Sequence, residues 1–126
     1  MNTEVKDLRT QSANDAYLQA NGTDQFYHQP NSSFQYTAEI KDLLTKCGAY
    51  WLLSEILLAN KFSEAVKIQD FQSWELKHLE GNTFILTCDD GNDNIVWEKR
   101  IPFSDFPYKD VKIWVEHQNI FFPSQR

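Results

Sequence analysis

Two short stretches hold the side chains best suited to chemistry: the acidic run DDGNDN at residues 89–94 and IPFSDFPYKD at 101–110. Closely spaced carboxylates and amides suit a hard cation such as calcium. An EF-hand loop, however, needs Gly at its sixth position and Glu at its twelfth, whereas here Gly91 is third from Asp89 and Arg100 is twelfth. The run therefore reads as a hairpin turn with Gly91 at positive φ, leaving Asp89, Asp90 and Asp93 as candidate partner contacts. In the second stretch Pro102 and Pro107 stiffen the connection around Ser104, Asp105 and Phe106, which are further candidate partner contacts. Asp105 has the chemistry of a general base or a partner contact. Its structural alternative is to accept backbone N–H groups in the turn.

Other chemistries find little support. His28, His78 and His117 form no HxH or HxxxH pair, so no metal site is assigned. Cys47 and Cys88, with no CxxC spacing, read as two buried free thiols in a reducing cytoplasm. Cys47-Gly48 comes nearest to a nucleophile on a sharp turn, but GxSxG is absent. GxxxxGK[ST] and GxGxxG are absent too, so no nucleotide cofactor is expected. No catalytic residue and no cofactor is assigned.

The chain has 126 residues and a net charge of −6, with 41% hydrophobic and 14% aromatic residues. That is enough for one compact domain over 1–126 with an aromatic-rich core. An acidic chain lacks the basic face that holds a phosphate backbone, so direct nucleic-acid binding is not expected. Between Glu80 and Glu116 eight acidic residues stand against four basic ones. This modest excess reads as a solvated surface before it reads as mimicry of nucleic acid. The first twenty residues contain no apolar signal-peptide core.

Residues 3–20 read as a helix, capped by Thr3 and stopped by Asn21-Gly22. A loop follows, in which Phe26-Tyr27-His28 is a short extended piece. Thr37 then caps a helix over about 37–46, with Ile40, Leu43 and Leu44 at helical spacing and Gly48 as its breaker. AYWLLSEILLAN at 49–60 is apolar on every side and too short for a bilayer, so it reads as a central core helix. Beyond it the pattern alternates at 71–79, 83–89, 94–101 and 111–117, with a final extended IFFP at 120–123. Trp74, Trp97 and Trp114 fall in these strands, and cross-strand packing accounts for them before an interface does. The expected class is α+β: N-terminal helices, about 3–60, packed on an antiparallel β-meander of four to five strands, about 71–123.

The segments GTDQFY, YTAEIKDL, GAYWLLSEI, FQSWELK, IPFSDFP, KIWVE and FFPSQ, in this order over 22–126, resemble a family of small bacterial and phage or plasmid proteins known as a domain of unknown function. The resemblance implies an acid at the positions of Ser54 and Gln125, and Asp105 matches its third recurring carboxylate. With two of three carboxylates replaced, Ser54, Glu55 and Asp105 read as a structural polar network, Ser54 being buried near the sheet or the 104–107 loop.

The expectation is a small cytoplasmic protein-binding module of a mobile element, an accessory protein or an anti-defence inhibitor that occupies a host or defence protein. Homodimerisation is allowed for, and membrane association is not expected. The alternative is a small enzyme or ligand binder that uses Asp105, with Glu55 or His117, in a pocket between sheet and helices.

Overall fold

The computed structural model describes residues 8–20 and 25–126. Eight strands and three α-helices make one mixed, mostly antiparallel sheet with helices packed on it. The chain runs through β1 (Leu8–Ser12), a 3-10 helix (Ala13–Tyr17), β2 (Phe26–His28), β3 (Gln35–Thr37), α1 (Ala38–Lys46), α2 (Tyr50–Phe62) and α3 (Glu64–Lys67). It continues through β4 (Phe71–His78), β5 (Phe84–Asp89), β6 (Ile95–Ile101), β7 (Tyr108–Glu116), β8 (Asn119–Phe121) and a 3-10 helix (Pro123–Gln125). The sheet order is β2-β3-β8-β7-β4-β5-β6, with β1 also on β7.

The α+β class stands, but its layout differs from the expectation. The helices do not come first, because three strands precede α1, and the sheet has eight strands rather than four or five. The predicted helix over 3–20 is replaced by β1 and a 3-10 turn; its residues 3–7 and its Asn21-Gly22 stop lie outside the described residues. The reason is long-range. β1 pairs in parallel with β7 through Leu8 and Tyr108, a gain in hydrogen bonding that outweighs the weak local helical signal.

The meander follows the alternating pattern. Trp74 stands opposite Cys88 and Ile113, and Leu76 opposite Leu86 and Val111. These side chains, with Phe84 and Val115, are buried on one face together with Ile40, Leu43 and Leu44 of α1 and Leu52, Leu53, Ile56 and Ala59 of α2. On the opposite face the same register sets Glu75 across from Lys112 and Lys77 across from Asp110, unlike charges facing each other over a solvated surface.

Helix α1 starts as expected, the Thr37 hydroxyl accepting from Ile40 N at 3.2 Å. It ends at Gly48, whose φ of +59° lets Ala49 N reach back to Leu44 O at 2.8 Å. Helix α2 is not buried all round. Leu52, Leu53, Ile56, Ala59 and Asn60 face the sheet, and Tyr50, Ser54, Leu58 and Phe62 are exposed. An isolated layer of helices on one sheet face can cover only one side of each helix.

A buried network ties the two layers together. Asn60 Nδ2 donates to Gln72 Oε1 at 3.1 Å while Gln72 Nε2 donates to Asn60 Oδ1 at 2.7 Å. Gln72 Oε1 also accepts the Trp74 indole N–H at 2.9 Å, and Gln72 Nε2 also donates to Val66 O. Gln72 thereby uses its full hydrogen-bonding capacity.

At the far end of the sheet Arg9 replaces missing backbone partners. Its Nη1 donates to Gly81 O at 2.7 Å, its Nε to Phe106 O at 3.1 Å and its Nη2 to Ser104 O at 3.2 Å. The guanidinium also lies 5.3 Å from the Phe84 ring centroid. A planar fork makes these bonds together and a lysine ammonium does not. Arg9→Lys is therefore expected to cost about 2 kcal/mol in urea unfolding. Gly91→Ala should cost a comparable amount, because φ is +92° there and an added Cβ would lie 2.8 Å from the Phe71 ring.

Candidate functional site

The predicted site residues fall into separate places. Asp89, Asp90 and Asp93 lie in the β5–β6 turn, and Ser104, Asp105 and Phe106 follow β6. The seven-residue strand between them spans about 20 Å. In the acidic turn the carboxylates serve the backbone: Asp89 Oδ1 accepts from Gly91 N at 2.7 Å and Asp90 Oδ1 from Asn92 N at 2.8 Å. Hydrogen bonds from Asn94 and Asn92 lower the pKa of Asp90. No cluster of three metal-ligating side chains occurs among the described residues.

Phe106 is buried against Phe84 and is a core residue, not a surface contact. Ser104 is buried as well and takes the role foreseen for Asp105: its Oγ accepts from Phe106 N at 3.1 Å. Its backbone N donates to Asn82 O at 2.8 Å. Asp105 is exposed, and its carboxylate has no hydrogen bond among the described residues.

Asp105 and Glu55 meet across one groove of about 370 Å³ between the start of α2 and the end of β6, lined also by Trp51, Lys99, Ile101, Pro102 and Phe103. Trp51 and Glu55 share a helix face because they are four residues apart. Lys99 lies on the helix side of β6, opposite Leu86, and its Nζ is 2.8 Å from Glu55 Oε2. The anticipated network of Ser54, Glu55 and Asp105 does not form: Ser54 is exposed, one side of α2 away from the sheet. The buried polar network is the Asn60–Gln72–Trp74 set, of which the sequence pattern marked only Trp74, and that for packing. A Gln on the otherwise apolar strand face of Trp74 and Leu76 was the available signal.

His117 lies elsewhere. It lines a larger hollow of about 570 Å³ with Phe34, Asn60, Lys67, Asp70 and Gln72, so it is not a partner for Asp105. The β7–β8 turn that carries it has both central residues, His117 and Gln118, at positive φ, as a two-residue hairpin of this hand requires.

Cys47 sits beside the groove. Burial, followed by the nearby Asp42, raises its thiol from the usual 9.0 to about 11. Burial raises Cys88 to about 12, with Asp89 and Asp90 adding to it. Both cysteines are free. A thiol with a pKa near 11 is thiolate in only about one molecule in 10,000 at neutral pH, so neither is a poised nucleophile. Both should resist DTNB near pH 7 until the chain is unfolded. Because the folded values are raised, this contribution to stability is complete below pH 9.0 and is lost as pH rises through 11 and 12. Alkaline unfolding monitored by circular dichroism should report that loss.

The C-terminal segment is tied down at the start of α1. Gln125 Oε1 accepts from Thr37 Oγ1 and from Phe122 N, both at 3.0 Å, and its Nε2 donates to Glu39 at 2.8 Å. The model of a family of unknown function matches residues 11–126. The chain belongs to this family, DUF6876. No curated protein and no solved structure gives a significant match.

The acids expected from the resemblance at two positions of this DUF6876 chain now have different meanings. At exposed Ser54 an acid would be solvated. At Gln125 it would face Glu39 without a proton to donate. Gln125→Glu should therefore destabilise by about 1–2 kcal/mol near neutral pH. Crowding of two carboxylates raises their folded pKa, so the penalty should shrink as pH falls toward about 4, which urea titrations at both pH values will show.

Proposed function

We propose that the chain is a small cytoplasmic protein-binding module that acts by occupying a partner, with the outer face of α2 and the adjoining end of β6 as its docking surface. The observation that carries this reading is the exposure of large apolar side chains there: Phe62 is 74% exposed, Phe103 69% and Leu58 52%. Tyr50, at the start of α2, is exposed as well. Burying one such side chain contributes about 1.5–3 kcal/mol, and surfaces of this kind mark contact sites. Tyr50, Ser54, Leu58 and Phe62 follow one another at four-residue intervals, the spacing with which a helix lies in a partner's groove.

The resemblance to phage and plasmid proteins directs the search for that partner to host and defence proteins, which an anti-defence inhibitor would block. No helix among the described residues is long and apolar enough to cross a membrane. The paired substitution Leu58→Asp and Phe62→Asp should leave the unfolding midpoint nearly unchanged, since both side chains are exposed. It should also abolish capture of a stoichiometric partner from host lysate. Failure of the unsubstituted chain to retain any partner over a range of salt concentrations would overturn the reading. Light scattering identifies the case in which the partner is a second copy.

A second reading, a small enzyme or ligand binder, is favoured by one observation: Asp105 is not consumed by its own loop and shares a groove with Glu55. Native mass spectrometry that detected a bound small molecule, lost in Glu55→Gln, would favour it over docking.

A further inference from the structure

We infer that the groove between α2 and β6 receives an arginine side chain of the protein partner, held by Asp105 between Trp51 and Phe103. The inference rests on the protein-binding reading and names the chemistry at one end of that surface. Three observations converge on a guanidinium.

First, its walls are aromatic. Trp51 is partly buried and fixed against the core, while Phe103 projects from the rim. A guanidinium is flat and weakly hydrated, and it stacks on such faces more readily than an ammonium does. Second, the charge is complementary. Lys99 is tied to Glu55 at 2.8 Å, so that pair is neutral. Asp105 adds an exposed carboxylate with both oxygens able to accept, the acceptor geometry that a bidentate arginine pair uses.

Third, the same molecule already holds an arginine by this combination of groups. On the other face of the sheet Arg126 pairs with Glu116 at 3.2 Å and lies 4.9 Å from the Phe71 ring and 5.6 Å from that of Trp114. One carboxylate and two aromatic rings hold that guanidinium at the surface, beside the Ser124 and Gln125 hydrogen bonds that order the segment around it. The groove offers the same set to a residue from outside.

The direct test uses the full chain and N-acetyl-arginine amide as probe, followed through the Trp51 indole N–H in ¹⁵N NMR spectra. N-acetyl-citrulline amide, of the same shape without the charge, is the control. The expected result is a saturable shift with a Kd on the order of 1 mM for the arginine probe and none for citrulline. Asp105→Asn should weaken binding about tenfold, and Phe103→Leu should weaken it with Asp105 intact. Both positions are exposed, so both variants should fold, and an unchanged unfolding midpoint checks that.

An absent or unsaturable shift, an equal response to citrulline, or full binding by Asp105→Asn would overturn the inference. So would a captured partner that is lost on substituting Leu58 and Phe62 but kept at full affinity by Asp105→Asn; in that outcome the docking reading survives. If the arginine probe binds as expected and no partner depends on Leu58 and Phe62, the guanidinium site stands and the docking reading fails.

Discussion

The fold depends on satisfying both edges of β7. This nine-residue strand has β4 along one side over residues 110–116, a continuous ladder. Its other side is divided among three short segments. β1 pairs near Tyr108 and Asp110, and β8 pairs from Trp114 to Glu116. Between them the Asn14 side chain takes the place of a strand residue: its Nδ2 donates to Lys112 O at 2.9 Å and its Oδ1 accepts from Lys112 N at 2.6 Å. These partners complete the hydrogen bonding along that edge, so segments distant in sequence are drawn to the same strand. Arg9 is brought to the 104–106 loop by that same demand, and the loop carries Asp105.

Much of the architecture was legible in the sequence, for identifiable reasons. Strands β4, β5 and β7 alternate because one side of each faces the helices and the other faces water, whereas β6 at the sheet edge is exposed over most of its length; Trp74, Leu76 and Val111 announce that difference at two-residue spacing. α1 was legible because Thr37, the Ile40–Leu43–Leu44 stripe and Gly48 agree on where it starts, what it buries and where it stops. β1 was not, because nothing in Leu8 to Ser12 specifies a strand until Tyr108 is beside it. Helical propensity was the only local signal available, and it gave way to pairing about a hundred positions distant.

The groove was partly legible. Asp105 and Glu55 were singled out by type and context, and the fold brings them to one surface. Their neighbours were not, because the position of Phe103 depends on how the chain turns after β6, and the exposure of α2 depends on there being no second layer above it among the described residues. An apolar helix of this kind predicts burial on all sides only inside a thicker fold; a helix layer on one sheet face leaves its outer side bare, as at Leu58 and Phe62. Ser54 lies on that side too. Phe106 departs from expectation for the complementary reason: an aromatic residue between prolines in a loop points inward when a serine and an arginine hold the loop against the sheet.

The pairing of the N-terminal strand also has a kinetic side. Arg9 bonds to Phe106, Asn14 to Lys112 and Tyr17 O to Ser124, at sequence separations of 97, 98 and 107 residues. Contacts of that span close large loops, and chains that depend on them fold slowly compared with those built from local contacts. During synthesis β4, β5 and their turn can form a hairpin as soon as they emerge, whereas β1 must wait for residues 108–124. Until then the carbonyls that Arg9 will cap remain open to water or to other chains.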